Sequence, residues 1–154
     1  MPISYLSTAQ IGHLAATYID RLTPSDIATL SASQIGAINT SGIAVIDATQ
    51  IAALSTTQIR GLTATQIPQF SSNLLFGTAQ LLVMNGAQFT AFTSTQLDNF
   101  DVTRIQAITG SQLSALSATN FASLDTTQIA ALSITQIQTL TATELGGLTS
   151  GDPV

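Results

Sequence analysis

The stretch 124–140 reads LDTTQIAALSITQIQTL, and it holds two consecutive copies of an eight-residue unit that starts again at Leu140. Each copy begins with Leu, places Asp or Ser second, and has Gln fifth and Ile sixth. The same unit can be followed from Leu6 to Leu148, with nine units before and nine after a two-residue frame shift. The first and sixth positions are apolar in every unit. An internal repeat of this regularity decides the architecture of the chain.

The second position of the unit carries residues that cap the start of an α-helix. It is Ser, Thr, Asp or Asn in sixteen of eighteen units, and their side-chain oxygens accept from the first free N–H groups of a helix. Gln follows three residues later in eleven units, which completes a capping box, and the flanking apolar positions suit a hydrophobic staple. The pattern predicts helix caps at Ser7, Thr23, Ser31, Asp47, Ser55, Thr63, Thr93, Asp101, Thr109, Ser117, Asp125, Ser133 and Thr141.

The sequence therefore predicts an all-α solenoid of very short capped helices, one per eight-residue unit. One continuous helix does not fit, because eight residues at 3.6 per turn overshoot two full turns, and the apolar stripe would wind around the helix. A β-solenoid is the alternative, since short Thr-rich repeats can form one. Its turns need glycines and Asn-Gly steps, and Asn85-Gly86 is the only such step. Two, three or four units per superhelical coil all fit the period.

The domain organisation follows from the repeat. We expect an N-terminal lead-in at 1–5, one solenoid at 6–148 and a C-terminal tail at 149–154. The solenoid divides into units 6–75 and 76–148, and the frame shift lies at 70–76. The segment from Phe70 to Met84 is richer in apolar residues than the rest. It is interpreted as a local kink with extra core packing, or as an exposed patch for self-association.

Composition argues against several classes of function. Charged residues make up 7% of the chain, there is no Lys, and the net charge is −5, so we expect no binding of nucleic acid or of an anionic membrane. No apolar run is long enough to span a bilayer. The start of the sequence has no basic n-region and no apolar h-region, so we expect no signal peptide. These features favour a non-membrane protein that relies on Ser, Thr and Gln for solubility.

The sequence offers no residues for catalysis. His13 is the only His and there is no Cys, and no Ser has a base beside it that would activate a nucleophile. Asp47, Asp101 and Asp125 stand at cap positions, where the helix N-terminus favours a negative charge. We therefore expect no catalytic residue, no metal site, no cofactor and no enzyme activity.

One ordered array of hydroxyl groups is a candidate binding face. The fourth position of many units is Thr, and a regular stack would turn these residues into a ladder on one outer face. Such a surface, uncharged and weakly hydrated, suits ice or a polysaccharide. The residues of this candidate face are Thr95, Thr103, Thr119, Thr127, Thr135 and Thr143.

The octads Thr63-Ala-Thr-Gln-Ile67 and Ser133-Ile-Thr-Gln-Ile-Gln-Thr-Leu140 resemble tandem repeats of large bacterial surface or secreted adhesin-like proteins. The resemblance covers 6–148. It implies a non-enzymatic spacer or stalk segment at the cell surface or outside the cell, and it supplies no catalytic or haem-binding residue. Because solenoid ends expose core residues, here near Leu6 and Leu148, self-association through the ends is also expected.

Overall fold

The computed structural model describes residues 2–72 and 76–149, and in these ranges the chain consists of short helices with no strand. The all-α prediction is confirmed, and the β-solenoid is excluded. Two 3₁₀ helices cover Ile3–Tyr5 and Ile67–Gln69. The sixteen α-helices are α1 (Thr8–Gly12), α2 (Ala16–Ile19), α3 (Pro24–Ala28), α4 (Ala32–Ala37), α5 (Thr40–Ile43), α6 (Ala48–Ala53), α7 (Thr56–Gly61), α8 (Thr78–Leu82), α9 (Gly86–Thr90), α10 (Ser94–Leu97), α11 (Val102–Ala107), α12 (Gly110–Leu113), α13 (Ala118–Ala122), α14 (Thr126–Ala130), α15 (Ile134–Ile137) and α16 (Ala142–Thr149).

Each unit alternates a single helical turn with a short extended step. Ser55, for example, is extended at φ −69° and ψ 159° and caps α7, and the helix ends at Leu62, which is again extended at φ −63° and ψ 137°. Among the described residues no backbone has a positive φ. The chain therefore turns at every unit without a left-handed residue, and a Ser, Thr or Asp can occupy the turn.

Three units make one coil of the solenoid. Helices pack in three columns, because the contacts between helices join elements that lie three units apart in the chain. The first column contains α1, α4, α7, α8, α11 and α14. The second column contains α2, α5, the 3₁₀ helix Ile67–Gln69, α9, α12 and α15, and the third contains α3, α6, α10, α13 and α16. A regular coil is therefore 24 residues long, three units of eight.

The interior is filled by the first and sixth positions of the units, which form one continuous hydrophobic cluster. Its middle is aromatic. The ring centroids of Phe70 and Phe76 lie 5.2 Å apart, and Phe92 lies 6.0 Å from Phe76 and 5.4 Å from Phe100, all edge-to-face. Offset and edge-to-face pairs of this kind are favourable arrangements for aromatic rings.

The frame shift lies within this aromatic cluster. Phe70, Phe76, Leu81 and Met84 are all buried, so the interpretation of the segment 70–84 as an exposed patch is wrong for these side chains. Leu82 is the exception, with 51% of its surface exposed. Leu75, the predicted sixth position of the shortened unit, lies outside the described residues. The described part of the segment, apart from Leu82, packs in the core.

Two glycines let neighbouring helices of the first column approach closely. A Cβ built on Gly61 of α7 would lie 2.2 Å from the backbone oxygen of Ala32 in α4. A Cβ on Gly36 would in turn lie 2.4 Å from the backbone oxygen of Gly61. No side chain larger than hydrogen fits between these backbones without a shift of one helix.

Candidate functional site

The capping box forms as the sequence predicts, and α7 is a representative case. The Ser55 N–H donates to Oε1 of Gln58 over 2.8 Å, and the Gln58 N–H donates to Oγ of Ser55 over 3.3 Å. Each side chain therefore satisfies one of the N–H groups that a helix start leaves free. The capping box engages only the oxygen atom of the Gln58 side-chain amide.

The amide nitrogen of the same Gln joins two coils. Nε2 of Gln58 donates to the carbonyl oxygens of Ile27 and Leu30, at 2.8 and 2.7 Å. These carbonyls belong to the preceding coil, 31 and 28 residues earlier in the chain. A single buried side chain thus holds the start of its own helix and ties that helix to the coil below.

The same bridge recurs along the stack. Each member is buried, and each donates from Nε2 to two carbonyl oxygens of the preceding coil. We call these side chains the bridging glutamines, and they are Gln34, Gln50, Gln58, Gln66, Gln80, Gln88, Gln96, Gln112, Gln128 and Gln136.

In three of the units that lack Gln, another side-chain nitrogen takes its place. The fifth position is glycine at Gly42, and there Nδ2 of the cap residue Asn39 donates to the carbonyls of Gly12 and Leu14, both at 2.9 Å. Nε of Arg104 donates to the Phe76 carbonyl over 2.9 Å. These substitutions show that the requirement is a donor directed at the coil below.

Asn120 fills the same place in α13. Its Nδ2 donates to the carbonyl of Phe92, in the preceding coil. The Asn side chain is one methylene shorter than that of Gln, and its Nδ2 reaches one acceptor among the described residues. Its backbone N–H donates to Oγ of the cap residue Ser117, at 3.1 Å.

Glu144 breaks the pattern. Its Oε2 accepts from the Thr141 N–H at 2.6 Å, as in a capping box, but its Oε1 is buried without a hydrogen-bond partner. The side chain is only 4% exposed. By position, the carbonyls of Leu113 and Leu116 are the acceptors that a bridging glutamine would reach here. An ionised carboxylate has no hydrogen to donate to them.

The bridges also show what the frame shift does. Gln80, Gln88 and Gln96 reach carbonyls 29 and 26 residues back, two fewer than in a regular coil. From Gln112 onward the separations return to 31 and 28. One coil is therefore two residues shorter, and the pairing of units is kept.

Twelve of the thirteen predicted caps accept a hydrogen bond from the backbone N–H three residues later. Thr63 is the exception, and the prediction of a helix cap there is wrong. Its hydroxyl pairs with that of Thr65 at 2.9 Å, and the unit forms the 3₁₀ helix Ile67–Gln69. Pro68 explains the difference, because proline has no N–H and its ring clashes with the carbonyl four residues earlier.

The predicted Thr face is divided among the three columns. Thr95 of α10 and Thr119 of α13 occupy corresponding positions in the third column, and Thr143 belongs to α16 of that column. Thr103 and Thr127 lie in the first column, and Thr135 lies in the second. One continuous ladder of all six is therefore corrected to three separate sets. The described side chains among them, all but Thr143, are exposed.

Groups for acid–base or metal chemistry are scattered in the described part of the chain. His13 is exposed, and no cluster of His, Asp or Glu there could hold a metal ion. Arg104 and Asp101 form an ion pair on α11, next to the bridge to Phe76. Within the described ranges no helix is long and apolar enough to cross a membrane.

Hydrogen bonds lower the pKa of two carboxylates at helix starts, one in a cap residue and one in the third residue of a capping box. The N–H of Gln50 and then the hydroxyl of Thr49 lower the pKa of Asp47 below its ordinary value. The hydroxyl of Thr23, followed by its N–H, does the same to the pKa of Asp26. Both carboxylates serve to start a helix.

The bridging role of Gln was missed from sequence, although a signal was present. Either Glu or Gln completes a capping box, yet this acidic protein uses Gln in eleven units and Glu in one. The strong preference for the amide indicates that its donor end is needed. The chain matches no protein-family model, no curated protein and no solved structure.

Proposed function

We propose that this chain is a non-enzymatic structural repeat module, a stiff spacer or stalk segment of a bacterial surface or secreted protein. The observation that carries the proposal is the series of bridging glutamines. Buried hydrogen bonds between successive coils resist bending and sliding at every level of the stack, since each lost bond would leave a buried polar group unsatisfied. The resemblance to adhesin-like repeats supports a location at the cell surface or outside the cell.

The distribution of polar groups supports a mechanical role. Nearly every Ser, Asn and Gln named above is engaged in a cap or a bridge, and these contacts build the rod. The function then depends on length and stiffness, and each coil adds a fixed increment. Helices in contact are about 8–10 Å apart, so one coil should add about that much to the length.

The increment can be measured by small-angle X-ray scattering. A variant that carries a second copy of 108–131, one full coil, should have a maximum dimension longer by about 8–10 Å and an unchanged cross-section. A matched control inserts 24 Gly and Ser residues at the same place, and a flexible linker lengthens a chain only with the square root of its length. An added coil that leaves the maximum dimension unchanged would contradict a stiff spacer.

The role itself is tested on a bacterial surface. The chain is placed between an outer-membrane anchor and an epitope tag, with and without the extra coil, and the height of the tag above the membrane is measured. The proposal expects the extra coil to raise the tag by the same increment as in solution. If the extra coil raises the tag no more than an insert of 24 Gly and Ser residues does, the proposal is contradicted.

Binding of ice or a polysaccharide is the second candidate, and exposed Thr95 and Thr119 on successive helices of the third column favour it. Thermal hysteresis of the wild-type chain should then exceed that of the variant with Thr95→Lys and Thr119→Lys. For a polysaccharide, retention on an immobilised glycan replaces the freezing measurement. Equal values for the two proteins in both assays would exclude this candidate.

A further inference from the structure

The C-terminal end of the solenoid presents a surface that every earlier coil buries. The sixth-position side chains of Leu113 and Phe121 are fully buried under the coil that follows. In the last coil the corresponding Ile137 is 46% exposed and Leu145 is 43% exposed. An apolar surface of this kind, at the edge of a regular stack, is suited to burial by another coil.

The same end lacks the hydrogen bonds that close the earlier coils. The carbonyls of Leu97 and Phe100 each accept from the bridging Gln128, at 2.8 Å. Within the described ranges, no side chain donates to the first-position carbonyls of Leu124, Leu132 and Leu140. The end therefore offers acceptors at the places where a further coil would donate.

The N-terminal end has the complementary features. Oε1 of Gln10 accepts from the Ser7 N–H at 2.9 Å, as in every capping box. Gln10 is exposed, and its Nε2 has no acceptor among the described residues. The first-position side chains of Leu6 and Leu14 are only partly buried. A free donor and two partly exposed apolar side chains thus lie at the end where a preceding coil would pack.

We propose that a second copy of this chain covers the C-terminal end, so that the molecules stack head to tail. The N-terminal coil of one copy packs on the last coil of the next, Leu6 and Leu14 against the apolar end, with Gln10 donating to a pair of open carbonyls. The molecule's own coil-to-coil interface is the template. The inference rests on the proposed spacer function and names the partner of that spacer. Because the two surfaces differ, the contact is heterologous and generates a filament.

Sedimentation velocity of the full chain tests the proposal. The wild type should grow in size between about 10 μM and about 1 mM protein. Gln10→Glu should prevent this, since Glu completes the capping box equally well but places a carboxylate against carbonyl oxygens. Ile137→Asp should prevent it from the other end. Leu82→Asp is the control, because Leu82 is similarly exposed in the middle of the stack, and it should associate as the wild type does.

Mixing the two blocked variants distinguishes head-to-tail stacking from other contacts. Each variant keeps one intact end, so the mixture should form a complex of two chains and stop there. A wild type that stays monomeric throughout, or a Gln10→Glu variant that assembles like the wild type, would overturn the proposal. Circular dichroism confirms that each variant is folded. Scattering from the monomeric variants reports the rod shape separately, so failure to assemble is distinct from failure of the spacer function.

Discussion

Nε2 of Gln58 lies 2.7 Å from the carbonyl oxygen of Leu30, which is 28 residues earlier in the chain. With Ser55 at its other end, this one side chain connects a helix start to the coil below. Both amide hydrogens are used, since the second is donated to Ile27. Each such bond contributes about 0.5–1.5 kcal/mol net, and its loss costs more when a buried group is left unpaired.

Replacement of Gln58 by Glu should therefore destabilise the fold strongly. Glu preserves the capping box but removes both donors and buries a charge against two carbonyls, which should cost about 3 kcal/mol or more. Gln10→Glu is the matched control, because Gln10 is exposed and its Nε2 donates to no acceptor among the described residues. This change should alter the free energy of unfolding by less than about 0.5 kcal/mol. Urea unfolding followed by circular dichroism measures both. Similar changes in stability at the two positions would contradict a contribution from the bridge.

Glu144→Gln should stabilise the protein. The new amide keeps the acceptor for the Thr141 N–H and supplies donors where Oε1 now has no partner. Two recovered hydrogen bonds should raise the free energy of unfolding by about 1–3 kcal/mol. The midpoint of urea unfolding should rise. Glu144→Ala removes the box and supplies no bridge, and it should lower the midpoint. An unchanged midpoint for Glu144→Gln would contradict the assignment of this position to the bridges.

Gly61→Ala should destabilise the first column. The new methyl group would lie 2.2 Å from a backbone oxygen of α4, and overpacking of this kind typically costs about 1–3 kcal/mol. Gly146→Ala is the control, since a Cβ there meets no atom within 4 Å. Alanine is the better helix former by about 1 kcal/mol, so this change should stabilise α16. Thermal melting of the two variants should shift in opposite directions, and a common direction would refute the close approach of α4 and α7.

The stability should fall in acid, and Asp47→Ser should weaken that dependence. Hydrogen bonds place the pKa of Asp47 in the folded protein below its value in the unfolded chain, so the unfolded state takes up the proton first. The stabilisation is therefore present above the ordinary aspartate pKa of about 3.9 and is lost as the pH falls through the lower, folded value. Ser keeps the cap without a titrating group. The melting temperature should fall less steeply below about pH 4 in the variant, and an identical fall would exclude a contribution from Asp47.

The local structure was predictable because its causes are local. Caps at Ser55 and Asp125, and the helices that follow them, depend on residues within one unit, and the eight-residue period displays them directly. The apolar first and sixth positions likewise identified the core, apart from the exposed Ile137 and Leu145 of the last coil. The helix cap predicted at Thr63 does not form, because Pro68, five residues later, prevents the α-helix that the cap would start.

The number of units per coil was not predictable in the same way. Every unit presents the same box, so the period does not say which earlier unit a Gln side chain reaches. That choice depends on how columns of helices pack, and it decides which Thr residues share a side. Thr95 and Thr103 are neighbours in sequence, yet they lie in different columns.

The shortened coil has a consequence for how such chains can change over generations. The two missing residues alter the reach of Gln80, Gln88 and Gln96, and by Gln112 the regular reach is restored. The pairing of helices is thus kept although one coil is two residues shorter, and the regular separation returns in the next coil. Small in-frame insertions or deletions in the gene should therefore be tolerated where the order of the helices is kept.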